Sequence, residues 1–277
     1  MKLKRKIRQY GMPAFWCIYL ILFLILGRYD LVFSTYMTEH RIALFTAWGQ
    51  HIALLPGALI TCWCGFAAAR REQGIRKYTL YLAAVTASLI GGWQMGNSLG
   101  EHAVLFSGLL AALMCFMMHY AAGRSDFPAD AESDVIYIGI LTAVLSISVT
   151  TVLKYVWARP RFWALGMDGR IFQPWYRISG PALITDADKS FPSGHTTSSS
   201  AILWITLLPS LYPRLKKREG ILRAAVPVWI VLTALSRIMA GMHYITDTMA
   251  GFAVTLSIFL ILKKKLFSEN NQNDGTS

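Results

Sequence analysis

The stretch Val135-Ile-Tyr-Ile-Gly-Ile-Leu-Thr-Ala-Val-Leu-Ser-Ile-Ser-Val-Thr-Thr-Val-Leu-Lys154 carries no charge until its final lysine. A helix needs about 20 largely apolar residues to traverse the hydrocarbon core of a bilayer, and this run supplies them. Continued to Trp157, it is one of eight such stretches, the others being 13–28, 50–69, 78–97, 103–122, 195–212, 224–241 and 245–262. Composition points the same way. Of 277 residues, 55% are hydrophobic and 15% charged, with a mean hydropathy of +0.43, whereas soluble domains run near 45–50% apolar and about 25% charged. An ordinary soluble globule and a disordered chain are both excluded. The sequence predicts an all-α, polytopic membrane bundle of about eight transmembrane helices.

The formal charge of +12 would suit a nucleic-acid partner, but its distribution argues for topology instead. With the N-terminus in the cytoplasm, segments 1–12, 70–77, 123–134, 213–223 and the tail from 263 hold 18 of the 27 Lys and Arg residues. Basic residues favour the cytoplasmic side of a membrane protein, so both termini are expected inside, with no nucleic-acid partner. The first apolar run lacks a small-residue cleavage site after Leu26 and is expected to stay as a span. Arg28 and Asp30 at its end are expected to snorkel to the interface. The chain divides into a motif-free four-helix region (1–134), a motif-bearing core (135–262) with a long outer loop (158–194), and a polar cytoplasmic tail (263–277), of which 268–277 reads as unstructured. Cys17, Cys62, Cys64 and Cys115 all fall in apolar stretches and read as small hydrophobes.

Three polar clusters lie at the outer ends of spans. They are Lys154-Tyr-Val-Trp-Ala-Arg159-Pro160-Arg161-Phe162, Ser190-Phe-Pro192-Ser193-Gly194-His195, and Ser236-Arg237 with His243 and Asp247. Ionisable groups at the edge of an apolar bundle are costly and mark function by default. Lys154, Arg161 and Arg237 supply positive charge, and guanidinium matches phosphate oxygens in bidentate geometry. Ser193-Gly194-His195 opens a span, so unpaired backbone N–H groups are available to an anion, and Gly194 permits close approach. His243 and Asp247 are spaced i,i+4, which puts them on one helix face, so the carboxylate is expected to orient the imidazole. An oriented imidazole in a cationic pocket suits phosphoryl transfer through a covalent histidine, with His195 protonating the leaving oxygen.

These residues resemble the three motifs of the type 2 phosphatidic acid phosphatase superfamily, membrane lipid phosphatases related to vanadium haloperoxidases. The second and third motifs match in full. The first matches at Lys154 and Arg161, but Phe162 stands where the family usually has Pro, with Arg159-Pro160 just before it. The resemblance implies that Lys154, Arg161, Ser193, Gly194 and Arg237 bind phosphate. It makes His243 the nucleophile, His195 the general acid and Asp247 the partner that orients His243. It covers about residues 135–262, and because family cores usually have six spans, two of eight are additional. It also implies a phosphorylated lipid as substrate (undecaprenyl diphosphate, phosphatidylglycerol phosphate or phosphatidic acid) and a bacterial cytoplasmic membrane with the active site facing outside.

Taken singly, the motifs have plainer readings: a capped helix start, interface anchors, a polar pair between helices. In this order and on one face they read together as a site. Three cations around one point would repel a metal ion, so neither metal nor cofactor is expected. A phosphotransferase would share every one of these residues. An anion or lipid transporter would place its ionisable groups near the midplane and show paired repeats, which are not visible here. Arg170 and Arg177, in the outer loop, lie outside the three motifs and are expected to contact a head group or a second phosphate.

Overall fold

The computed structural model describes residues 2–97, 100–124, 129–180 and 185–273. Regular structure among them is wholly helical. Helix α1 (Lys2–Leu26) breaks at Gly27 to Tyr29, and α2 (Asp30–Glu39) leaves at 73° to its apolar part, Gly11–Leu26. Short α3 (Ala43–His51) leads into α4 (Leu55–Ala69), which packs with α5 (Gly74–Gly96) and α6 (Ala103–Gly123). Long α7 (Ala129–Trp157) precedes the outer loop. Next, α8 (Gly194–Ser200) passes through a 3-10 segment (Ala201–Leu207) into α9 (Leu208–Leu211) and α10 (Pro213–Lys216). Helices α11 (Glu219–Met239) and α12 (Ile245–Asn273) complete the chain.

Among the described residues, five stretches are long and apolar enough to cross a membrane: Ala43–Ala69, Gly100–Gly123, Asp134–Ala164, Glu219–Met239 and Ile245–Leu266. The bent pair α1–α2 makes a sixth if counted as one span. Eight were expected, and the difference has a physical cause. In α5 the residues Gly91, Gly92, Gln94 and Gly96 dilute the apolar run. The expected span 195–212 is cut into three short pieces by its serine and threonine run and by Pro209. The tail expected to be unstructured, 268–277, also differs, because α12 continues helical to Asn273; residues 274–277 lie outside the described residues.

The bundle turns apolar side chains outward and polar ones inward. Leu20, Ile21, Leu82, Leu105, Phe116 and Val152 are exposed, while Thr142, Ser146, Thr150, Thr197, Ser199, Thr233 and Thr255 are buried. Small hydroxylated residues let membrane helices approach closely and hydrogen-bond across the contact. Thr150 and Thr197 share a hydrogen bond of 2.9 Å between α7 and α8, Ser199 and Thr233 one of 2.9 Å between α8 and α11, and Thr255 Oγ1 donates to the Thr197 carbonyl at 3.0 Å. The chain is an integral membrane protein. Its apolar core joins the motif-free and motif-bearing regions, since Ile60, Cys62, Cys64 and Phe66 of α4 pack with Val135, Ile136 and Ile138 of α7, Trp204 and Phe259. Trp204 Nε1 ties the 3-10 segment to α7 by donating to the Val135 carbonyl at 2.6 Å.

Candidate active site

Three chain reversals meet at one end of the bundle. After α7, with Lys154 in its last turn, Ala158 reverses the chain at φ +46° and Arg159-Pro160-Arg161 lead into a 3-10 turn at Phe162–Ala164. At the start of α8, Ser193 is the N-cap, its Oγ accepting from the Thr196 amide at 3.3 Å. Between α11 and α12, Gly241 takes φ +69°, a left-handed conformation open to a residue without Cβ. Main-chain hydrogen bonds join the three: Trp163 N–H to the Gly241 carbonyl at 3.0 Å, Ser193 N–H to the Asp247 carbonyl at 2.9 Å, and Arg161 N–H to the Ala187 carbonyl at 2.7 Å. A Cβ on Gly251 would sit 2.6 Å from the Ser193 carbonyl oxygen, so the approach of α12 to α8 requires glycine there.

His243 is buried at this junction, and its orientation departs from expectation. Nδ1 lies 2.7 Å from the Ser190 carbonyl oxygen but 3.6 Å from Asp247 Oδ2, too far for a direct hydrogen bond. A carbonyl only accepts, so Nδ1 carries the proton and Nε2 keeps its lone pair. Burial pushes the His243 pKa down to about 3, only partly offset by Asp247, and the ring is neutral at physiological pH. The carboxylate acts one step removed: Asp247 Oδ2 accepts from Ser190 Oγ at 2.5 Å and from the Tyr244 amide at 2.8 Å. It therefore fixes the strand of chain that holds the imidazole. The i,i+4 argument fails because His243 precedes Ile245, where α12 begins.

Behind Asp247 lies a fully buried cation. Arg159 donates from Nη1 to Asp247 Oδ1 at 2.6 Å and to Thr246 Oγ1 at 3.0 Å, from Nη2 to Asp30 Oδ2 at 2.9 Å, and from Nε to the Gln173 carbonyl at 2.8 Å. Its guanidinium also lies 4.1 Å from the centre of the Tyr244 ring. Asp30 was expected at the interface, but it is wholly buried and accepts from the Thr246 amide at 3.0 Å. Its side chain is too short to snorkel, so burial demanded a partner cation. Phe162, the departure from the motif, packs edge-on against Tyr244 at 6.3 Å and so lines the same cluster.

The remaining motif residues surround His195. Arg237, His243, Arg161 and Lys154 all lie within electrostatic reach of its ring. Lys154 Nζ donates to the Lys189 carbonyl at 2.7 Å, and Arg161 Nη2 to Asp186 Oδ1 at 3.0 Å. Four nitrogens in this group are buried without a hydrogen-bond partner: Arg161 Nε, His195 Nε2, and Nε and Nη1 of Arg237. Buried polar atoms are nearly always satisfied, so such a concentration calls for an explanation. A Cβ at Gly194 would meet only Lys154 Cε at 3.5 Å, so packing alone does not require glycine there. Among the described residues, no group of three His, Cys, Asp or Glu side chains is placed to hold a metal ion.

The outer loop corrects a further expectation. Arg170 is committed within the loop, donating from Nε to Asp188 Oδ1 at 2.8 Å, from Nη1 to Asp168 Oδ2 at 2.8 Å, and from Nη2 to Asp188 Oδ2 and Thr185 Oγ1 at 3.1 and 3.2 Å. The guanidinium holds the Asp188 carboxyl below its usual range. Arg170 therefore folds the loop, with four of its five N–H donors taken there. Arg177 is exposed. Trp175 docks the loop on α1, its ring edge-on to Phe23 at 4.8 Å and its carbonyl accepting from Trp157 Nε1 at 2.6 Å.

A family model described as the PAP2 superfamily matches residues 135–270, the stretch that contributes all three reversals. Residues 135–270 belong to the PAP2 superfamily. Phosphatidylglycerophosphatase B of Bacillus subtilis is 30% identical over 83 residues, covering 29% of this chain and 41% of that protein. Sphingosine-1-phosphate phosphatase 1 of Rattus norvegicus is 35% identical over 92 residues, covering 31% of this chain and 21% of that protein. The chain thus spans less than half the length of these curated relatives. A crystal structure of a transmembrane PAP2-type phosphatidylglycerolphosphate phosphatase from Bacillus subtilis overlays with a TM-score of 0.48 at 17% identity, covering 94% of this chain and 97% of that one. Within the PAP2 segment, motif reading passed over Ser190 as the acceptor for His243 and Arg159 as the buried cation. Outside it, Asp30 was missed, although an acidic residue beside an apolar run is itself a signal.

Proposed function

We propose that the chain is a metal-independent lipid phosphate phosphatase. The observation that carries this reading is the set of buried, unpartnered nitrogens of Arg161, Arg237 and His195 around a neutral His243. Phosphoryl oxygens would satisfy those donors, with Lys154, the Ser193 hydroxyl and the Gly194 amide completing the cradle. His243 Nε2 then attacks phosphorus, the bond to the lipid oxygen breaks, and that oxygen takes a proton from His195. In the second half, water attacks the phosphohistidine, returning a proton to His195 and releasing phosphate with a free imidazole. Asp247, through Ser190 and Tyr244, positions the nucleophile. An apolar cavity of about 560 Å³ between α1, α11 and α12 is lined by Tyr19, Ile230, Phe252 and Thr196 and suits the lipid chain beside the residue that follows His195. The direct test is phosphate release by purified protein from a panel of lipid phosphates. No release from any of them, above a His243→Ala blank, refutes the reading.

Because Lys154, Arg161 and Arg237 supply the positive charge, activity should persist in EDTA, and vanadate should inhibit by imitating the five-coordinate transition state. Loss in EDTA that magnesium or zinc restores would contradict this. The 18 basic residues in the segments assigned to the inside favour a site facing outward, in a bacterial cytoplasmic membrane. In a background lacking Cys17, a cysteine at the exposed Tyr176 should react with an impermeant thiol reagent on intact cells, and one at Lys217 should not. The reverse pattern would turn the site to the cytoplasm.

A further inference from the structure

We infer that a cationic pocket contributed by the motif-free region holds a second anionic phosphate on the leaving group of the substrate, with Arg41 as its specificity residue. The inference rests on the phosphatase reading above and narrows its substrate class. A cavity of about 480 Å³ opens between α3 and the α11–α12 turn, lined by Arg41, Thr46, Gln50, His51, Trp163 and Arg237. No residue lining it is acidic. Arg237 is only 1% exposed; its unpartnered Nε and Nη1 are the donors assigned above to the transferred phosphoryl group, so to this cavity it contributes charge. Arg41 lies near enough to repel it, and its own Nε reaches Thr46 Oγ1 only at a long 3.4 Å. His51 Nδ1 donates to the Gln94 carbonyl at 3.0 Å, so Nε2 of the neutral ring carries a lone pair and adds no donor to the pocket.

Arg41 is exposed and Arg237 buried, and both line the cavity with no acidic residue among its described lining, so an anion seated there would be drawn to both. Arg237 also acts electrostatically on His195, so the cavity and the group around His195 share one cation, which would suit an anion next to the transferred phosphoryl group. The chemistry therefore fits a lipid with two phosphates in series: the terminal one goes to His243, and the other departs with the lipid. A lipid monophosphate with an uncharged leaving group leaves the pocket unused. Arg170 cannot serve in its place, being committed to Asp168 and Asp188.

The test uses the full chain in detergent and a matched pair, farnesyl diphosphate and farnesyl monophosphate. Arg41→Gln should lower the ratio of kcat/KM for diphosphate over monophosphate by about ten- to a hundredfold, the worth of one charge-assisted hydrogen bond. An unchanged ratio overturns the proposal. So does a fall caused by Arg177→Gln in place of Arg41→Gln, which would return the contact to the outer loop. Calorimetry with inorganic pyrophosphate and orthophosphate separates this from the phosphatase reading. Wild type should prefer pyrophosphate and Arg41→Gln should lose that preference; equal affinities in the wild type refute the pocket. A pyrophosphate preference in a protein that releases phosphate from no lipid would instead refute the phosphatase reading and leave the anion site standing.

Discussion

His243→Ala should leave no measurable lipid phosphate hydrolysis in protein that still folds. The imidazole is the only group proposed to bond to phosphorus, and its Nε2 lone pair is set by the 2.7 Å contact of Nδ1 with the Ser190 carbonyl. His195→Ala should behave differently. It removes a proton donor, not the nucleophile, and should slow turnover by about 10²–10⁴-fold, the usual worth of general acid catalysis. It should also restore rate selectively for substrates with a good leaving group, such as an aryl phosphate. Trapping an acid-labile, base-stable phosphate that disappears in His243→Ala would complete the assignment. Full activity in His243→Ala would end it.

Arg159→Met should cost about 3–5 kcal/mol, because it strands Asp30 and Asp247 as uncompensated buried carboxylates. The expected result is a large fall in Tm and loss of the monodisperse peak in detergent. Arg159→Lys should rescue little, since an ammonium cannot bridge two carboxylates with a planar fork. Asp30→Asn is milder: the Thr246 contacts can remain and Arg159 keeps Asp247. Combining Asp30→Asn with Arg159→Met should recover part of the lost Tm, since one stranded charge is gone, and a double-mutant cycle measures that coupling. A wild-type Tm for Arg159→Met would mean that the ion pairs contribute nothing.

The sequence disclosed the helical membrane class and the residues that gather at the site, because apolar length and chemically unusual residue types are local signals. Lys154, Arg161, His195, Arg237 and His243 do converge. What local signals missed depends on distance in the chain. Asp30 meets Arg159 across 129 positions, and no periodicity announces that pairing. The His243–Asp247 contact was misread because helical spacing was applied to a residue two positions before its helix. Arg170 looked available because Asp188, which occupies it, lies 18 positions away across a loop. Fewer stretches than the eight expected pass on length and hydropathy, because α5 carries Gly91, Gly92, Gln94 and Gly96 and the run Thr196 to Ser200 is polar.

The Asp30–Arg159 tie has a bearing on engineering. The PAP2 segment starts at residue 135, yet the guanidinium within it is balanced partly by a carboxylate from the first bend of the chain. The segment is therefore not a portable cassette. Grafted onto another set of leading helices, it would arrive with an unmatched cation beneath its own nucleophile loop, and any donor scaffold would have to offer an acid at the depth of Asp30. Chimeras that import residues 1–41 together with the segment carry their own counter-ion, and swaps joined between Glu39 and Ala129 separate the two halves of a single electrostatic unit.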